Sequence, residues 1–121
     1  MTAKILLVLA GLMGAAGVVL AAAAAHGKPG AGLEGASQML LFHAVAIVGV
    51  AALLDSGHLL RPVALLALFG WVVGSLLFSG DVALRAFAGQ RLFPMAAPSG
   101  GTILILSWLA LAVSAAAASG R

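Results

Sequence analysis

The side chains able to do chemistry are few and spread along the chain. His43 lies inside an apolar run, where an imidazole titrating near neutrality could relay protons or touch a ligand. A second reading makes it a neutral ring hydrogen-bonded to a neighbouring helix, through Ser75, Ser107 or a backbone carbonyl. Asp81 and Arg85 stand four apart and share one face if that segment is helical. With Glu34 and Arg91 they could latch one connection onto another, or form a site for an anion or lipid headgroup. Gln38 is a further polar residue at the start of the second apolar segment. His26 closes the first, where an imidazole ring suits the negative end of a helix dipole. These seven residues, His26, Glu34, Gln38, His43, Asp81, Arg85 and Arg91, form the candidate polar or ligand site.

Other chemistries find little support. Ser79 and Ser99 lie in no nucleophile motif such as Gly-x-Ser-x-Gly, and no enzyme is expected. Gly100-Gly101 at a helix start could approach a phosphate, but the pattern is too short for a phosphate-binding loop. No His-x-x-x-His spacing occurs, and His26, Glu34 and His43 would have to converge from different depths to hold a metal. No metal or cofactor is therefore expected. The absence of Cys excludes thiol catalysis and disulfides.

The elements that position these residues follow from composition. The chain is 64% hydrophobic and 7% charged, with a mean hydropathy of +1.23. Soluble domains carry roughly 25% charged residues, so membrane lipid is the expected surroundings. The formal charge of +3 rests on six Lys and Arg at the ends of apolar runs. That placement suits anionic headgroups and gives no basic groove for nucleic acid.

Four apolar runs, Ile5 to Ala25, Met39 to Leu54, Pro62 to Phe78 and Thr102 to Ala118, predict spans over about 5–25, 34–54, 62–80 and 100–118. Backbone groups in lipid must pair within their own segment, so the spans are helical. The MTAK start also fits a signal peptide, but the apolar part that follows exceeds the usual length of about 7–15 residues. The fold expected is all-α, a four-helix transmembrane bundle forming a single domain over 1–121. Pro29 should stop any helix running on from His26. Between the third and fourth spans a long, partly helical connection is expected: helix over Asp81 to Ala88, a stop at Gly89, and no regular helix past Pro94 and Pro98 until Ser99 caps the last span.

Four crossings put both termini on one side and the first and third connections on the other, gathering the polar side chains at a single rim. Lys4, Arg61 and Arg121 on one side balance Lys28, Arg85 and Arg91 on the other, so charge does not choose an orientation. Small residues predict how the helices meet: Ala10, Gly14, Gly17 and Ala21 in the first, Gly70 and Gly74 in the third, Ser107, Ala110, Ser114 and Ala117 in the fourth. The same stripes could serve contact between subunits of a homo-oligomer. A structural or interaction role is the first functional expectation; the alternative is a small oligomeric transporter or channel-like protein using His43 and Gln38.

In this order the motifs resemble one family. Ala25-His26-Gly27, Gln38 through Phe42-His43-Ala44, Gly70-Trp71, Phe78-Ser79-Gly80, Pro98-Ser99-Gly100-Gly101 and Trp108 are similar to the small bacterial membrane proteins grouped as domain of unknown function 423. Met39, Asp81 and the approach to His26 depart from the family pattern. The resemblance implies a four-span protein of the bacterial inner membrane, with small organellar relatives in eukaryotes. It implies no activity, cofactor or protein partner.

Overall fold

A computed structural model describes residues 1–27 and 31–119. The expected break at Pro29 and the charges of Lys28 and Arg121 lie outside the described residues. Four helices follow one another: α1 (Thr2–His26), α2 (Leu33–Leu53), α3 (Arg61–Ala88) and α4 (Ala96–Ala117). Each is long and apolar enough to cross a membrane.

The connection between α3 and α4 is short, which corrects the expectation of a long one. Helix α3 runs on through Asp81 and Arg85 to Ala88, and Gly89 ends it at φ 69°, a left-handed conformation that suits glycine. Helix α4 then begins at Ala96, leaving only residues 89–95 between. Pro98 does not delay it, because backbone N–H groups in a first turn have no helical partner to lose. Ser99 is consequently not the cap. Met95 holds that position, and the Ser99 N–H donates to the Met95 carbonyl at 2.9 Å.

Helix α2 packs between α1 and α3, and α3 between α2 and α4; α1 only grazes α3, and α4 reaches no helix but α3 by close backbone approach. Between α1 and α3 an apolar groove of about 620 Å³ remains open, lined by residues such as Leu12, Met13, Leu20, Leu76 and Ala83.

Small residues set the closest approaches. A side chain at Gly17 would press on Leu41 at 2.7 Å, and one at Gly70 would overlap the Ser107 hydroxyl. Gly74 and Gly100 face each other at the α3–α4 crossing. A Cβ on Gly100 would lie 2.7 Å from both the Gly74 carbonyl oxygen and the Phe78 nitrogen. Gly100 thus seats one helix on another, and no phosphate loop forms there. Ala21, expected in the α1 stripe, is exposed.

Serine hydroxyls reinforce these contacts. Ser37 donates to the Gly17 carbonyl at 2.7 Å, joining α2 to α1, and Ser79 donates to the Ala36 carbonyl at 2.8 Å, joining α3 to α2. Ser114 donates to the Leu60 carbonyl at 2.8 Å, while the Leu60 N–H returns a bond to the Ser114 carbonyl at 3.0 Å. That exchange ties the end of α4 to the start of α3 and occupies a carbonyl of the last helical turn. At the opposite end Gly32 approaches Val82, so the α1–α2 connection and the end of α3 share one face of the molecule.

Alanine at Gly100 should therefore lower stability by about 1–3 kcal/mol through overpacking. Alanine at Gly49, where an added Cβ meets nothing within 4 Å, should be neutral or stabilising by up to about 1 kcal/mol. Thermal unfolding of both variants in one detergent measures the contrast, and equal shifts would contradict the close crossing.

Candidate functional site

Two polar clusters stand out, one at mid-helix and one at the rim. The first centres on His43, buried near the middle of α2. Its Nδ1 lies 2.7 Å from the Met39 carbonyl oxygen, one turn back on the same helix. Its Nε2 lies 3.1 Å from the indole Nε1 of Trp108 on α4. A carbonyl can only accept and an indole N–H can only donate. The imidazole therefore carries its proton on Nδ1 and accepts from Trp108 at Nε2. Both ring nitrogens are thus engaged inside the bundle.

Aromatic packing surrounds this bond. Trp71 of α3 is fully buried, with its ring centroid 4.5 Å from Trp108 and 6.3 Å from His43. The three rings fill the space between α2 and α4, whose backbones stay apart. The expected bond from His43 to a neighbouring helix is present, through Trp108, but neither Ser75 nor Ser107 is its partner. Ser107 donates to the Ile103 carbonyl of its own helix at 2.7 Å, and Ser75 is buried without a hydrogen bond. The carbonyl that does pair with His43 belongs to α2 itself. Trp108, the neighbouring-helix partner, lies 65 residues away in sequence, and a helical wheel of either segment alone could not connect them.

The second cluster lies where α3 turns into α4. Asp81 is 2% exposed. Its Oδ1 accepts the Leu92 N–H at 2.9 Å, and its Oδ2 stands 3.5 Å from Arg85 Nε. The carboxylate thus folds residues 89–95 back against α3. This corrects the expected latch between connections: Asp81 holds its own connection, and Glu34 forms no ion pair among the described residues. Arg91 is exposed and, among the described residues, also without an acidic partner. Asp81, Arg85 and Arg91 share a cavity of about 370 Å³ with Phe78, Met95 and Ala97.

The remaining candidates do not join either cluster. His26 ends α1 and is exposed; Glu34 is exposed in the first turn of α2, where its charge suits the helix dipole. Gln38 is exposed on α2 while His43 is buried, so the two occupy different faces of one helix. The tight α2–α3 turn holds a polar contact that the sequence did not single out. There His58 Nδ1 lies 3.0 Å from Ser56 Oγ, whose own proton goes to the Leu53 carbonyl at 2.7 Å. With its hydrogen committed to a carbonyl, Ser56 is a turn residue and not an activated nucleophile. Beside it Arg61 and Asp55 pair at 2.7 Å on an exposed surface, worth at most about 1 kcal/mol.

Two measurements follow. A double-mutant cycle between His43→Leu and Trp108→Phe, read by unfolding in detergent, should give a coupling of about 0.6 kcal/mol and at most about 1.7. No coupling would mean that the Trp108–His43 bond does not form. Asp81→Ala should speed trypsin cleavage after Arg91 by about tenfold or more, since a buried hydrogen bond to a charged group contributes about 1.5–3 kcal/mol. Asp81→Asn, which keeps an acceptor oxygen, should fall between it and the unmodified protein.

Comparison with known proteins agrees with this architecture. The family model described as protein of unknown function (DUF423) matches residues 13–101. A relative from Haemophilus influenzae, named UPF0382 membrane protein, is 33% identical over 115 residues, covering 88% of this chain and 89% of its own length. No solved structure matches. The match takes in His43, Trp71 and the Asp81–Arg85 pair, and the chain belongs to the DUF423 family of membrane proteins.

Proposed function

We propose that this chain is a non-enzymatic protein of the bacterial inner membrane with a structural or interaction role, whose working surface is the polar rim at the α1–α2 and α3–α4 connections. Its all-helical spans support the inner membrane, since outer-membrane proteins of this kind are barrels. The observation that carries the functional reading is the closure of His43. Both ring nitrogens are engaged, by Met39 and Trp108, and the apolar runs hold no Asp, Glu, Lys or Arg to extend a proton path. Transport normally requires a chain of such groups. Gln38 does not supply the next member, because it is exposed while His43 is buried. Hydrophilic side chains with unsatisfied capacity gather instead at the rim, around the turn that Asp81 bonds.

The test is flux. Reconstituted into liposomes loaded with a pH-sensitive dye and placed in proton and potassium gradients, the protein should leak no faster than protein-free vesicles. His43→Ala should change nothing. A flux present in the unmodified protein and lost in His43→Ala would overturn the reading in favour of a transporter.

A further inference from the structure

The geometry points to a binding site for the phosphate of an anionic phospholipid, in the cavity between the end of α3 and the start of α4, held by Arg85 and Arg91. The inference rests on the reading of the rim as the working surface and names what that surface takes.

The first argument is charge. The cavity is lined by two guanidinium groups and one carboxylate. That carboxylate is already committed, its Oδ1 to the Leu92 N–H and its Oδ2 toward Arg85. Because Arg85 meets Asp81 through Nε, its terminal NH₂ groups are free to turn outward. Asp81 therefore positions Arg85 without consuming its fork, the part that grips phosphate oxygens in pairs. Arg91 brings a second fork with no acidic partner among the described residues. The start of α4 borders the cavity. No side chain caps this helix, and Ala97 of its first turn lines the same cavity. Most donors of that turn are spent, since the Ala96 N–H goes to Phe93, the Ser99 N–H to Met95 and Pro98 has none, so the two arginines carry the site.

The second argument is depth. Helix α3 has no charged residue between Arg61 and Asp81. Twenty residues of helix span about 30 Å, the thickness of a bilayer's hydrocarbon layer. With Arg61 at one interface, Asp81 falls at the other and Arg85 one turn beyond it, at the level of the lipid phosphates. Along α3 the cavity's lining changes in the same direction, from Phe78 to Asp81 and Arg85, with exposed Arg91 and Met95 beside them. Such a gradient fits an amphiphile better than a soluble anion. A volume of about 370 Å³ lies at the lower end of small-ligand pockets, about 300–1,000 Å³.

The experiment compares ligands and variants of the full chain in mild detergent, with apparent affinity read by native mass spectrometry. Phosphatidylglycerol should bind more tightly than phosphatidylcholine. Arg91→Gln should weaken phosphatidylglycerol by about fivefold, and Arg85→Gln combined with it by more. Lys4→Gln, at the other end of the molecule, should leave binding unchanged. Arg91 forms no ion pair or hydrogen bond within the described fold, so its variant decides the matter even if the double variant unfolds. Three results would each overturn the assignment: unchanged phosphatidylglycerol affinity in Arg91→Gln, equal binding of phosphatidylcholine, or competition by inorganic phosphate as strong as by phosphatidylglycerol. The last would indicate a soluble-anion site. None of these bears on the flux measurement, so the two readings can fail separately.

Discussion

Lipid offers no hydrophobic reward for bringing one apolar helix against another, and this constraint shapes the whole molecule. What remains is close backbone packing and hydrogen bonds from side chains that would otherwise be stranded in hydrocarbon. Gly17 on α1, Gly70 and Gly74 on α3 and Gly100 on α4 provide the first. Ser37, Ser79 and Ser114 provide the second, each donating to a carbonyl of another element. The Trp108–His43 bond follows the same logic between α2 and α4, which have no close backbone contact and need long side chains to meet.

The same constraint separates the mid-helix cluster from the rim. At mid-helix, where water is absent, the His43 ring has both nitrogens satisfied and contributes to packing. At the rim, Asp81 can keep a buried carboxylate because a backbone N–H and a guanidinium attend it, and Arg85 and Arg91 open onto a cavity. Ser37, Ser79 and the Trp108–His43 pair therefore hold helices together within the spans, while Arg85 and Arg91 line a cavity open to other molecules.

How much of this was legible in the sequence depended on whether a signal was local. The spans were, because length and hydropathy are read along one segment: α2 begins at Leu33, beside the predicted start at Glu34. Gly89 as the end of α3 was legible too, and so was the spacing of Asp81 and Arg85. The start of α4 was not legible, because Pro98 reads as a helix breaker in sequence although a first turn accepts proline. The partners of His43 and Asp81 were not legible. Trp108 is remote in sequence, and the Leu92 backbone N–H carries no mark of its residue type. The small-residue stripes identified contact faces but not their pairing, which depends on how α3 lies between its neighbours.

The pairing of helices also bears on biogenesis. Contacts are densest within α1–α2 and within α3–α4, and thinner between α2 and α3. The chain is thus built as two hairpins joined along α2 and α3. Leu60 and Ser114 clasp the second hairpin at its open end, and Gly74 with Gly100 lock it near its turn. The indole–imidazole bond joins one hairpin to the other, so it can form only after both halves are in place, making it a marker of completed assembly.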